Sequence, residues 1–127
     1  MNGRTAEIDA ILHALSRIRI PKAAPEEYEL HEAVATALAD AGLSARHEAR
    51  IAPRCRIDFL CGRVGIEIKK GKVPGARLYS QCARYLASAE LDALVLVSPN
   101  ALYIPPGING KPVYIFSLNR LWGVALP

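Results

Sequence analysis

Arg56-Ile57-Asp58-Phe59-Leu60-Cys61-Gly62-Arg63-Val64-Gly65-Ile66-Glu67-Ile68-Lys69-Lys70 reads as two short strands joined by a tight glycine-containing turn at Cys61 to Gly65. Strand side chains alternate with period two, which assigns Ile57, Phe59, Ile66 and Ile68 to one face and Asp58, Glu67 and Lys69 to the other. The turn then brings Asp58 beside Glu67 and Lys69. Two carboxylates and an ammonium are expected to share one small patch.

That patch has a definite chemistry. Magnesium prefers hard oxygen ligands and keeps several waters, so Asp58 and Glu67, with the Ile68 carbonyl, form an incomplete cage for it, open to water and a phosphate oxygen. A metal there acidifies water and offsets charge building on phosphorus, while Lys69 orients the nucleophile or holds the phosphate. The implied reaction is phosphodiester hydrolysis. The plain alternative is an amphipathic hairpin with an ordinary solvated Glu/Lys pair on its outer face.

Working outward, Glu26 to Gly42 is an alanine-rich helix with Leu30, Val34, Ala37, Leu38 and Ala41 as its apolar stripe and Gly42 as C-cap. At 3.6 residues per turn Glu27 falls within the stripe and His31 at its edge. Leu43 to Ile51 is charged and extended, the pattern of an exposed edge strand, and its His47 and Glu48 read as solvated rather than as metal ligands. Beyond the hairpin, Gly71-Lys72-Val73-Pro74-Gly75 is a basic loop. Arg77 to Ser88 is a helix with Leu78, Cys82, Tyr85 and Leu86 at core spacing, and Gln81 and Tyr85, four apart, share a face. Leu91 to Val97 is almost continuously apolar, as in a strand buried on both faces. A crossover into such a strand implies a mixed sheet covered by helices.

Asp58 followed nine positions later by Glu67-Ile68-Lys69 resembles the bipartite signature of the PD-(D/E)XK nuclease superfamily, with Ile57 in place of the leading proline. Gln81-x-x-x-Tyr85 resembles the additional motif of its RecB-like and lambda-exonuclease-like branch. The resemblance spans Glu26 to Ser98. It implies a restriction-endonuclease-like α/β fold, an αβββαβ core with a mixed sheet flanked by helices, preceded here by an extra N-terminal helix. It further implies a metal-dependent nuclease acting on DNA, with Mg²⁺ as cofactor and Mn²⁺ as substitute. Asp58, Glu67 and the Ile68 carbonyl would bind metal, and Lys69 would orient or activate the attacking water. Gln81 and Tyr85 would support the site and contact DNA. The superfamily carries a functional Glu, or in some branches a His, on the first core helix, which maps to Glu27 with His31 in reserve. Glu27 as a first-turn acid complementing the helix dipole is the competing reading. Endonuclease and exonuclease both remain open.

Composition frames these expectations. The chain has 127 residues, enough for one domain, and 51% of them are hydrophobic. A net charge of +4 favours polyanionic partners. The cations cluster around the hairpin: Arg46, Arg50, Arg54, Arg56, Arg63, Lys69, Lys70, Lys72, Arg77 and Arg84. Of these, Lys70, Lys72, Arg77 and Arg84 are the expected nucleic-acid contacts. The three cysteines have no metal-site or disulfide spacing. With no apolar run of membrane-spanning length, and with Asp9 and His13 interrupting any leader-like stretch, a cytoplasmic, non-membrane protein is expected. No phosphate-cradling glycine loop is present, which excludes a nucleotide-driven motor.

Thr5 to Arg19 is an amphipathic helix with Ile8, Ile11, Leu12, Leu15 and Ile18 at helical spacing, set off by Pro21 to Pro25. It packs on the domain flank or serves as a dimerisation or partner arm. A two-fold substrate would call for a homodimer, through this stripe or the Trp122 region. The rival to an enzyme is a non-catalytic module that binds nucleic acid or protein on the same fold.

Overall fold

The computed structural model describes residues 3–20 and 24–118. Among these residues three helices flank a six-stranded mixed sheet. α1 (Gly3–Leu15) and α2 (Glu27–Asp40) precede β1 (Ala45–Ala52), β2 (Cys55–Cys61) and β3 (Val64–Ile68). α3 (Gly75–Leu86), β4 (Ala93–Ser98), β5 (Gly107–Ile108) and β6 (Lys111–Ser117) follow. The strand order is β1-β2-β3-β4-β6-β5. β1, β2 and β3 form an antiparallel meander, and the crossover through α3 makes β4 parallel to β3. β6 lies parallel to β4 on its other side.

Each face of the sheet has its own core. α1 and α2 pack on one face against Phe59, Cys61, Val64, Ile66, Ile68, Ala93, Val95 and Val97. α3 packs on the other against Ile57, Leu60, Leu94 and Leu96 through Leu78, Cys82, Tyr85 and Leu86. β4 feeds both cores, so it is apolar at nearly every position and wholly buried. Gly65 sits where space runs out: a Cβ there would lie 2.4 Å from the Ile57 side chain and 2.7 Å from that of Leu91. Gly62 takes φ +61 in the β2–β3 turn, a conformation glycine adopts without steric cost.

One alternative is decided here and one expectation changes. The N-terminal helix packs on the domain and is no projecting arm, because Ile8, Ile11, Ala14, Leu15 and Ile18 are buried in the α2-side core. Its stripe is covered within the chain itself. The proposed homodimer loses that contact surface, and Trp122 lies outside the described residues. The alternation expected along β2 also breaks. Phe59 faces α2 whereas Ile57 faces α3, so the strand turns over at Asp58. On β1, His47 pairs with Phe59 and Ala49 with Ile57, and the residue between them, Glu48, has φ +52. β1 turns over at the same level, with His47 against Phe59 on the α2 side and Ala49 in the α3-side core, and the left-handed Glu48 marks the point of reversal.

Among the described residues, no helix is long and apolar enough to cross a membrane. Cys55, Cys61 and Cys82 are free and buried.

Candidate active site

The site begins where the β2–β3 ladder stops. Its last paired residues toward the open end are Phe59 and Ile66. Beyond them side-chain carboxylates replace backbone carbonyls as acceptors. The Asp58 N–H donates to Glu67 Oε1 at 3.1 Å, and the Ile68 N–H donates to Asp58 Oδ2 at 2.8 Å. The reversal at Asp58 turns its carboxylate into the seam between the strands, and these two bonds fix it there. β3 meanwhile stays tied to β4, and the Lys69 N–H donates to the Val97 carbonyl at 2.8 Å. One strand is held and its neighbour splays away, leaving two carboxylates in the gap.

α3 closes one side of that gap. The Tyr85 hydroxyl donates to Glu67 Oε2 at 2.9 Å, and Gln81 Nε2 donates to the Tyr85 oxygen at 3.1 Å. Lys69 Nζ lies 3.4 Å from the same Glu67 oxygen. Tyr85 is buried, so its hydroxyl requires a partner, and Glu67 supplies it. The Gln–Tyr pair thus acts on the site through Glu67.

Burial and mutual repulsion tune both acids. Glu67 is pushed up to about 6, first by burial and then by the negative charge of Asp58. Burial also raises Asp58, against the lowering pull of the Ile68 N–H, His31 and Lys69. Tyr85 is held protonated far above the ordinary phenol range by burial and by Glu67. Two adjacent carboxylates that resist ionisation are a site short of positive charge.

α2 closes the other side, with a change of residue. His31 Nε2 lies 3.8 Å from Asp58 Oδ2, and the His31 side chain is 14% exposed. Glu27, expected to face the core, is 69% exposed and reaches the site only through His31, 3.7 Å from its Nε2. His31 Nε2 is buried with no hydrogen-bond partner among the described residues. Its other ring nitrogen lies 3.0 Å from His47 Nε2, a pairing of helix and edge strand that nothing local in the sequence signals.

The donor set suits a hard divalent cation, since it offers carboxylate oxygens and a strand-end carbonyl. Among the described residues no three His, Cys, Asp or Glu side chains gather into a cage. Magnesium does not need one, because it retains waters and takes one or two carboxylates. Asp58, Glu67 and the Ile68 carbonyl are the residues that would hold it.

Lys69 opens onto a cleft of about 620 Å³ whose lining includes Lys72, Arg77, Ser80, Gln81 and Arg84. Its cationic wall runs directly from the carboxylates. Lys70 stands apart, with its ammonium 3.7 Å from Glu26 and its carbonyl accepting from Asn100. Compared with protein-family models, curated proteins and solved structures, the chain finds no match.

Proposed function

We propose that this chain is a metal-dependent nuclease of the restriction-endonuclease-like kind, hydrolysing phosphodiester bonds in nucleic acid, with DNA as the expected substrate. The observation that carries the reading is the splayed seam, where Asp58 and Glu67 stand beside Lys69 at the head of a cationic cleft. The element order α2-β1-β2-β3-α3-β4 supports the same assignment.

Within that reading, Asp58 and Glu67 present oxygens to the cation, and Tyr85 and Gln81 fix the Glu67 carboxylate in one orientation. When bound, Mg²⁺ or Mn²⁺ supplies Lewis acidity and offsets the negative charge developing on the phosphoryl group. Lys69 holds the phosphate or orients the attacking water. Lys72, Arg77 and Arg84 carry the adjoining backbone by charge, without reading sequence.

The test is a panel of linear, nicked, single-stranded and four-way-junction DNA, with RNA counterparts, incubated with Mg²⁺, with Mn²⁺ or with EDTA. Metal-dependent cutting supports the proposal and identifies the substrate class. Binding to the panel with no cutting under any metal would replace the enzyme by a non-catalytic binding module.

A further inference from the structure

A second pocket, of about 560 Å³, lies on the α2 side of the same seam. Its walls are aromatic, with His47 stacked on Phe59 at a centroid distance of 4.7 Å and His31 edge-on to His47 at 5.2 Å. Tyr28 stands at its margin with 65% of its surface exposed. The rim carries three carboxylates, Glu27, Glu32 and Glu48, of which Glu48 pairs with Arg56 at 3.6 Å and Glu27 lies 3.7 Å from His31 Nε2. A phosphate is repelled from such a rim, whereas the cleft on the α3 side attracts one.

His31, in the lining of this pocket, lies 3.8 Å from Asp58 Oδ2, and Lys69, in the lining of the other, lies 3.4 Å from Glu67 Oε2, so the two pockets flank the seam from opposite sides. The polyanionic backbone suits the Lys69–Arg84 side, and the neutral, flat, amine-bearing part suits the aromatic and acidic side. We propose that the α2-side pocket takes an unpaired nucleobase carrying an exocyclic amine, so that the substrate is single-stranded or frayed nucleic acid. Ring faces stack the base sequence-tolerantly, and the rim carboxylates accept its amino protons. A base paired in a duplex cannot enter, because its amino edge and both faces are already occupied. This inference rests on the nuclease reading for its neighbouring phosphate.

The test is binding in EDTA, where no cutting occurs. Oligo(dA), oligo(dT) and an all-abasic oligonucleotide of equal length are compared by anisotropy, and stacking is followed by the fluorescence of 2-aminopurine within oligo(dA). Oligo(dA) is expected to bind at least about tenfold tighter than the abasic strand, with 2-aminopurine quenched on binding. Oligo(dT), which lacks the amine, falls between them. Tyr28→Ala and the pocket-filling Ala35→Trp, both at exposed helix positions, should bring oligo(dA) close to the abasic level and leave abasic affinity unchanged. Equal affinity for oligo(dA) and abasic strands, or unaltered quenching in both variants, overturns the pocket while leaving the nuclease reading intact. Base-dependent binding that both variants abolish, in a protein that cuts nothing with Mg²⁺ or Mn²⁺, overturns the nuclease reading and keeps the pocket. No binding to any strand overturns the pocket, and the nuclease reading then stands or falls by the cutting panel.

Discussion

Glu67→Gln is expected to stabilise the metal-free protein at pH 8 and to change little at pH 4. Glu67 is raised from 4.5 to about 6 by burial and by Asp58. A raised carboxyl favours the folded state when protonated, so its contribution is complete below about pH 4.5 and lost as pH climbs through about 6. Above that range the wild type bears the whole cost of ionising a buried acid beside another, about 2 kcal/mol at about 1.4 kcal/mol per pH unit. Glutamine has nearly the same shape: its oxygen can accept the Asp58 N–H while its amide donates to the Tyr85 oxygen, and a flip of the Gln81 amide turns its oxygen to accept the Tyr85 O–H. The gain at pH 8 is thus up to about 2 kcal/mol in EDTA, read as a shifted urea midpoint at unchanged slope. Saturating Mg²⁺ should stabilise the wild type more than the variant, which keeps only the Asp58 carboxylate for the cation. A variant less stable than wild type at pH 8, or a difference equal at both pH values, would refute the electrostatic account of the seam.

Tyr85→Phe removes the only neutral donor to Glu67 Oε2 among the described residues and should destabilise the fold by about 1–3 kcal/mol, read by urea denaturation. It should also raise the Glu67 pKa further, visible as a displaced carboxyl titration in NMR. Ile11→Ala should cost about 2–5 kcal/mol in the same denaturation assay, because α1 is part of the core; an effect below about 0.5 kcal/mol would restore the picture of a loosely attached arm. For nucleic-acid binding, Arg77→Ala and Arg84→Ala should each lower the slope of log affinity against log salt by about one, measured by anisotropy titrations across salt concentrations. Lys70→Ala should leave that slope unchanged, since Lys70 pairs with Glu26 away from the cleft.

The geometry of the α3 side was legible because it depends on short-range spacing. Glu67 and Lys69 are two apart on a strand and Gln81 and Tyr85 four apart on a helix, so local periodicity alone places each pair together. Asp58 was legible as a neighbour of Glu67 but not in its orientation. Period-two reasoning assumes an unbroken ladder, and the left-handed Glu48 that accompanies the turnover of β2 belongs to the adjacent strand. The choice between Glu27 and His31 was set by where α2 rests on the sheet, a tertiary fact to which helical phase is too coarse a guide. The His31–His47 contact likewise depends on strand register. For α1 the sequence left packing on the domain and docking to a partner as alternatives, because an amphipathic stripe reads the same whichever covers it.

The most direct measurement is single-turnover cleavage of the best substrate from the panel by identically purified wild type, Asp58→Asn and Lys69→Ala, with Mg²⁺ or Mn²⁺ and in EDTA. The account predicts cutting by wild type only when metal is present, and a loss of about 100-fold or more in each variant. Cleavage that survives both substitutions, or that proceeds equally in EDTA, would contradict it.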